Sequence, residues 1–234
     1  MRVQPDSKSP WGRRVWILDA EFETAMDDLR EGGDFFARGT GVDVDAILLA
    51  RYQVEPDFGD VAESCLGRTR FEPDGRYSVL ISRALSDESV TSKVARRRLR
   101  STLAHEVAHI AFHGVLHPIH RGPTLFSDLA PSPPFLCRPD LSKERPEKGP
   151  WWEYQANRGM SCLLMPRDLV RQHLTNALAK RGLADMRAAL AASRGRAVIQ
   201  DLTDDFDVSL ELALYRLQGL GYIAEHVGQD GLTF

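Results

Sequence analysis

Hydrophobic residues change their spacing along the chain, and each change indicates a different kind of element. Two short β-prone runs, Gly67–Phe71 and Tyr77–Ser82, lie on either side of the sequence Glu-Pro-Asp-Gly-Arg. Runs of this length around a Pro-Asp-Gly turn are typical of a β-hairpin. We therefore expect a small, mainly antiparallel sheet of two or three strands in this part of the chain.

Most other segments repeat their hydrophobic residues every three or four positions, which predicts amphipathic helices. The pattern begins near residues 15, 43, 99, 151, 167, 186, 198 and 210. We therefore predict an α+β protein with an N-terminal helical segment (1–66), a core (67–166) and a C-terminal helical region (167–234). The last two helices resemble a helix–turn–helix pair, and the polar residues 1–13 are expected to be loosely held.

Residues 114–150 interrupt this pattern and contain eight of the thirteen prolines in the chain. Little regular structure is expected in so proline-rich a segment. Loops of this length inside a compact domain usually cover or border a binding site. Because the segment follows the helix that carries the candidate chemistry, we expect it to form a lid or wall of the cleft.

Composition narrows the classes of protein that fit. The chain has 234 residues and a formal net charge of −3, which gives no sign of general nucleic-acid affinity. Three scattered cysteines are too few for a disulfide framework. The N-terminus lacks an apolar signal region, and no run of eighteen apolar residues occurs. These features predict a cytoplasmic protein that does not span a membrane.

Two charged segments bear on whether the protein binds nucleic acid. The basic residues between 93 and 100 are best interpreted as a solvated helix face that leads into the next helix. A helix that reads DNA should be basic. The C-terminal pair instead carries more acidic than basic residues, with Asp201, Asp204, Asp205, Asp207 and Glu211 against Arg216. We therefore expect no direct DNA binding, and partner docking or structural packing for this pair.

The sequence His105-Glu-Val-Ala-His109 is the strongest chemical signal in the chain. Residues four apart share one face of a helix and are separated by about 6 Å of axial rise, so both imidazoles can reach one small ion. Two histidines at this spacing suit zinc, and Glu106 can accept a proton from water. Apolar residues around the motif predict a helix packed into a core, and Gly114 ends it.

A catalytic zinc site needs a third protein ligand. His113 lies about 12 Å from His105 along the helix axis, so one ion cannot contact both. Glu153, at the start of the next helix, is the preferred candidate, and Asn157 could hydrogen-bond it or support the first helix. The alternatives are Cys137 and two histidines of the proline-rich segment, His117 and His120.

Three motifs occur in a fixed order. RxxxTLAHEVAH follows the β-prone runs, EYQANRGMSCLLMP covers 153–166, and DFDVSLELALYRLQGLG covers 205–221. Together they resemble the ImmA/IrrE family of bacterial metallopeptidases, mainly between about Gly67 and Pro166. The resemblance implies a zincin-like core in which His105, His109 and Glu153 bind Zn²⁺ and Glu106 is the general base. The chain departs from the family pattern in its proline-rich insertion and at Gly159.

The resemblance also implies a substrate class. Family members often make a limited cut in a helix–turn–helix transcriptional repressor, in bacterial stress responses or mobile elements. Tyr154, His113 or a loop histidine could then stabilise the oxyanion. The rival hypotheses are a non-cleaving anti-repressor that retains the zinc fold, a hydrolase of a small molecule, and a DNA-binding protein with a structural metal.

Overall fold

A computed structural model describes residues 1–36, 41–62, 65–72, 74–117 and 150–224, together with the backbone of 135–137. The structure is mixed α+β. Its internal contacts divide the chain into two units, Met1–Glu31 with Val44–Met160, and Gly32–Asp43 with Ser161–Phe234. The division falls within a helix, whereas the sequence pattern placed a boundary after residue 166.

The first unit contains the sheets and the helix that carries the candidate motif. Its elements in chain order are β1 (Arg2–Pro5), β2 (Arg13–Trp16), α1 (Asp19–Arg30), α2 (Val44–Ile47), β3 (Asp57–Gly59), β4 (Gly67–Phe71), β5 (Tyr77–Ser82), α3 (Arg83–Ser89), α4 (Lys93–His113), β6 (Phe135–Cys137) and most of α5 (Trp151–Leu164). None of the described helices combines the length and apolar character needed to cross a bilayer.

The predicted hairpin is confirmed and forms the centre of a four-stranded sheet. β4 and β5 pair antiparallel with Thr69 opposite Val79, and the strand order is β3-β5-β4-β6. β3 is parallel to β5, and β6 is antiparallel to β4. On β4, the alternate residues Gly67, Thr69 and Phe71 are buried, as expected for a sheet with one face on a core.

Two short elements lie within the segment 114–150, where the sequence predicted little regular structure. A 3₁₀ turn covers Gly114–Leu116, and β6 extends the sheet beside β4. Three residues are too few to show a periodic pattern, so pairing with a neighbouring strand decides their conformation. The rest of the predicted lid, 118–134 and 138–149, lies outside the described residues.

The N-terminal residues form a hairpin instead of a loose segment. β1 pairs antiparallel with β2, with Val3 opposite Val15, so the expectation for residues 1–13 is wrong at Arg2–Pro5. The first helix begins at Asp19, later than the pattern predicted, because Val15 belongs to β2. Each strand is only four residues long. Helical periodicity within one segment does not reveal that two segments pair with each other.

The second predicted helix is present, although it is short. α2 continues directly into a π-helical turn at Leu48–Tyr52. Ile47 and Leu48 are fully buried, as their apolar pattern predicted. The helical N-terminal part of the chain therefore packs its apolar positions inward, alongside strands that were not predicted.

α4 is the central helix of the first unit. Ser92 caps it by accepting a hydrogen bond from the Ala95 backbone N–H. The basic run forms its first turns, where Arg96 and Arg98 are exposed, and the helix ends at His113 as predicted. All nine residues from 102 to 110 are buried. A helix buried on every side is surrounded by other elements, so its polar residues face protein groups.

α4 and α5 approach closely at a glycine. A Cβ added to Gly159 would lie 2.4 Å from a ring carbon of Phe112 and 2.8 Å from the Cβ of Ala108. Phe112 also packs edge to face against Phe22 of α1, with ring centroids 5.2 Å apart. The bulky ring fills the space that a side chain at position 159 would occupy, so the glycine sets the distance between the two helices.

Replacing Gly159 by alanine should lower the free energy of unfolding by about 1–3 kcal/mol, as overpacked cores do. The new methyl group would force α5 away from α4. Urea unfolding followed by circular dichroism measures the effect. Gly114→Ala is the matched control, because φ there is −53° and the nearest atom to its Cβ is 3.4 Å away. Equal losses in the two variants would contradict the packing argument.

The second unit is mainly helical in its described residues, apart from an antiparallel bridge between Phe36 and Val42. It contains the end of α5, followed by α6 (Arg167–Ala179), α7 (Met186–Ala191), α8 (Gly195–Phe206) and α9 (Leu210–Gly219). The predicted pair of α8 and α9 is present. Asp207 ends α8 in a left-handed conformation with φ of 49°, and the Ser209 side chain caps α9 by accepting from the Leu212 N–H.

Arg216 of α9 lies in the core of this unit. Its side chain is completely buried. The Nε atom donates to the Met165 carbonyl at 2.8 Å, and Nη1 lies 3.1 Å from the Cys162 sulfur. The guanidinium is therefore inaccessible to a phosphate group, although Arg216 is a basic residue of the predicted pair.

Candidate metal centre

His105, His109 and Glu153 converge at one point between α4 and α5. The His105 and His109 Nε2 atoms are 2.9 Å apart. The Glu153 carboxylate lies 3.2 Å from Nε2 of His105 through Oε2 and 3.5 Å from Nε2 of His109 through Oε1. Possible ligand atoms of the three residues all lie within 4.8 Å of one another. Helix periodicity brings the histidines together, and the packing of α5 on α4 adds the carboxylate.

The carboxylate is held in its charged form. Burial raises the pKa of Glu153, but the electrostatic and polar contacts that it makes with His109 and His105 outweigh burial, so this pKa lies well below its usual value. Burial also lowers the pKa of His109, to about 4. For His105 burial is outweighed by the hydrogen bond and charge of Glu153, which raise its pKa. The cluster therefore keeps Glu153 negatively charged next to two imidazole rings.

Asn157 lies against His105, one turn along α5 from Glu153. Its Oδ1 atom is 3.0 Å from the His105 Nδ1 atom, and the side chain is buried. An amide oxygen can only accept a hydrogen bond, so the proton of neutral His105 is on Nδ1. The lone pair on Nε2 then faces His109 and Glu153. This agrees with the supporting role that the sequence assigned to Asn157.

Glu106 points from the same helix toward the sheet. Its side chain is fully buried, and the Thr69 hydroxyl of β4 donates to Oε2. The other oxygen, Oε1, has no hydrogen-bond partner among the described residues. Burial raises the pKa of Glu106 to about 7, against the lowering effects of His105 and Thr69. A carboxylate with one anchored and one open oxygen is suited to accept a proton near neutral pH.

Gly67 leaves space beside that open oxygen. A Cβ at this position would lie 2.8 Å from Oε1 of Glu106 and 2.7 Å from the Thr102 side chain. Any larger residue would therefore press against the carboxylate. Neither Gly67 nor Thr69 was identified from the sequence, because both look like ordinary strand positions. Their relation to Glu106 appears only when β4 packs on α4.

Replacing Thr69 by valine should destabilise the protein by about 1–3 kcal/mol, the usual cost of leaving a buried polar group without its partner. Valine keeps the shape of threonine but cannot donate to Glu106. Urea unfolding measures the change. The control is Thr24→Val on the exposed face of α1, which should change stability by less than about 0.5 kcal/mol. A neutral Thr69 variant would show that the hydroxyl does not support the Glu106 carboxylate.

The other candidates from the sequence have different positions. His113 is fully buried, with both ring nitrogens in hydrogen-bonding contacts inside the core, so it cannot reach a substrate oxyanion. His117 stacks on Phe71, with ring centroids 3.9 Å apart. Tyr154 is half-buried on α5. His120 and the side chain of Cys137 lie outside the described residues.

One residue near the site was missed. Gln155 is buried on α5, and its side chain contacts both His113 and the backbone of β2. A polar residue two positions after Glu153 gives no signal in the sequence, because a helix of this composition can expose it equally well. The strand that it contacts, β2, lies far away in the chain.

A scan against protein-family models gives no match, and a search of curated proteins gives no significant match. The chemistry of the site therefore stands on the residues, their geometry and the motif resemblance.

Proposed function

We propose that this protein is a zinc metallopeptidase with a zincin-like core, in which His105, His109 and Glu153 hold the metal. The observation that carries this proposal is the convergence of two imidazole Nε2 atoms and one carboxylate, with both histidines on the helix that also carries Glu106. Two neutral imidazoles and a carboxylate are a common zinc ligand set, and three protein ligands leave a position for water.

The donor atoms themselves favour a cation. When both rings are neutral and protonated at Nδ1, the Nε2 lone pairs of His105 and His109 face each other at 2.9 Å and repel each other. A positive ion between them would remove the repulsion and would also meet the Glu153 carboxylate. This chemistry fits a divalent metal such as zinc better than a purely structural histidine pair.

Zinc in such a site supplies a water of lowered pKa and polarises the scissile carbonyl group. Glu106 accepts the proton of the attacking water while the new carbon–oxygen bond forms. It then passes this proton to the amine nitrogen as the carbon–nitrogen bond breaks. Thr69 holds Oε2 during both transfers, which leaves Oε1 to exchange the proton. Glu106 ends in the charged state in which it began.

The substrate we infer is a segment of a partner protein, such as a helix–turn–helix repressor, cut once in a bacterial stress response or mobile element. The ImmA/IrrE-like motifs support this choice. Extended peptides commonly bind by adding a strand to a sheet edge. Among the described strands, β6 is the edge beside β4. Cys65 and Cys162 are buried thiols that form no disulfide among the described residues, which is compatible with the cytoplasm as the place of action.

An open, anchored Glu106 carboxylate favours cleavage over the alternative of a non-cleaving anti-repressor. Binding alone would not require a base with a raised pKa next to the metal ligands. The alternative predicts that repressor relief persists when cleavage is absent, so the two functions differ in a measurable way.

Metal analysis and a cleavage assay test the proposal together. The purified chain should contain about one zinc per protein. It should cut the product of a neighbouring repressor gene at a defined site, as resolved by mass spectrometry. A chelator should stop the reaction, and added zinc should restore it. An intact repressor after incubation with the zinc-loaded protein, or cleavage that a chelator does not affect, would contradict the peptidase assignment.

A further inference from the structure

We propose that His113 and Gln155 are positioning residues that fix the tautomer of His109, so that its Nε2 lone pair faces the metal. This inference rests on the proposed metal site. It assigns a directed chain of hydrogen bonds that runs from the backbone of β2 to a ligand histidine. The chain involves four groups, Val15 C=O, Gln155, His113 and His109, and each contact in it determines the direction of the next.

The direction begins at Val15. Its carbonyl oxygen can only accept, so the Gln155 Nε2 amide at 2.8 Å must donate. The amide oxygen of Gln155 then faces the other way, toward His113. The opposite amide orientation would bring two oxygens together in a buried position, which is unfavourable. The strand backbone therefore decides which end of Gln155 meets the histidine.

The direction continues through His113. Its Nε2 atom is 3.0 Å from Oε1 of Gln155, and because that oxygen can only accept, Nε2 carries the proton. The ring is fully buried, and its nitrogens contact an amide oxygen and a second imidazole, neither of which balances a positive charge, so the imidazole is neutral. A neutral imidazole has one proton. The other nitrogen, Nδ1, is therefore an acceptor.

The direction ends at His109. The two Nδ1 atoms of His109 and His113 are 3.0 Å apart, and since the His113 atom accepts, the His109 atom donates. The Nε2 atom of His109 is then left with its lone pair toward Glu153 and His105. If these hydrogen bonds ran in the opposite direction, Nε2 of His109 would carry a proton. His109 would then donate to Glu153 and could not bind a metal through that nitrogen.

The two ligand histidines thus reach the same tautomer by different routes. Asn157 sets His105 directly, whereas His109 is set through a second imidazole and a glutamine that is anchored 140 residues away in the sequence. Ligand histidines usually donate their other N–H to a carboxylate, a carbonyl or water. Here the N-terminal hairpin supplies the final acceptor, which gives β2 an influence on the metal centre.

Nitrogen-15 NMR of histidine-labelled full-length protein tests the tautomers directly. Long-range proton–nitrogen spectra separate rings that are protonated at Nδ1 from those protonated at Nε2. We expect His109 protonated at Nδ1 and His113 protonated at Nε2, both before and after zinc addition. His113→Phe and His109→Gln assign the signals. A His113 ring protonated at Nδ1, or one that carries two protons at neutral pH, would overturn the proposal.

Zinc affinity, measured by competition with a chelator, tests the consequence. Gln155→Leu keeps the side-chain bulk but removes both polar atoms, so it should weaken binding about 10–100-fold, as loss of an outer hydrogen-bond partner does. His113→Phe should have a similar effect. Gln155→Glu should retain most of the affinity in its protonated form, because one oxygen can then donate to the Val15 carbonyl while the other accepts from His113. Circular dichroism checks that each variant is folded.

His173→Gln is the matched control, since it removes a histidine from a carboxylate contact outside this chain of hydrogen bonds. It should leave zinc affinity unchanged. If folded Gln155→Leu and His113→Phe bind zinc as the natural protein does, the positioning role is wrong while the metal site stands. If the natural protein binds no zinc, the proposed function fails. The tautomers of His109 and His113 in the metal-free protein then still show whether the hydrogen bonds run from His109 through His113 and Gln155 to the Val15 carbonyl.

Discussion

Glutamine at position 106 should abolish cleavage while the protein keeps its metal. Glutamine has the size of glutamate and can still accept from the Thr69 hydroxyl, so the packing of α4 on the sheet should not change. An amide cannot take a proton from water, however, and general-base catalysis typically contributes about 10²–10⁴-fold to a rate. We expect a rate loss of at least this size, measured by initial cleavage rates beside zinc content.

The control for this variant is Glu88→Gln, on the exposed face of α3 in the same unit. It removes the same charge at a position remote from the motif and should leave the rate unchanged. A Glu106→Gln protein that cuts at the normal rate would remove Glu106 as the base. Loss of zinc from this variant would instead mean that Glu106 contributes to metal binding.

Alanine at position 153 should remove metal binding. Glu153 is the only carboxylate in the three-residue cluster found among the described residues. It also provides the negative charge that both histidine rings face. We expect zinc affinity to fall by more than the roughly 100-fold upper range for outer hydrogen-bond partners, with activity lost in parallel. Isothermal titration calorimetry and the cleavage assay measure the two effects.

A matched variant separates metal binding by Glu153 from a simple interaction with the helix dipole. An acidic residue in the first turn of a helix can be present only because it interacts favourably with the helix dipole, worth about 0.3–1 kcal/mol. Asp168 occupies the first turn of α6 and is exposed, so Asp168→Ala reports that effect together with a solvent-exposed ion pair to Arg171. If Glu153→Ala loses only a comparable amount of stability and still binds zinc, Glu153 is a helix-terminal residue and not a ligand.

The most predictable parts of this protein depend on neighbours in sequence. His105 and His109 share a helix face because four residues make about one turn, and this follows from backbone geometry alone. The hairpin of β4 and β5 follows from two β-prone runs around a tight turn. Ser209 caps α9 through the Leu212 N–H, and this contact also involves only residues three positions apart.

The candidate third ligand could not be chosen from local sequence patterns alone. The sequence favoured Glu153 but left Cys137 and two histidines as alternatives. Glu153 lies 48 residues from His105, and its position depends on α5 packing against α4. That packing depends in turn on the absence of a side chain at Gly159, which lets Phe112 lie between the helices. The periodicity of either helix does not predict the distance between α4 and α5.

By itself, the sequence determined the chemistry that is available: two histidines and a glutamate on one helix turn, within an α+β chain. The tertiary structure decided how these groups are arranged. It placed Thr69 on Glu106 across 37 residues and Gln155 on Val15 across 140. It also turned His113 from a possible catalytic donor into a buried support. The physical reason is that hydrogen-bond direction in a core depends on which distant groups are brought into contact, and that information lies in the packing rather than in local pattern.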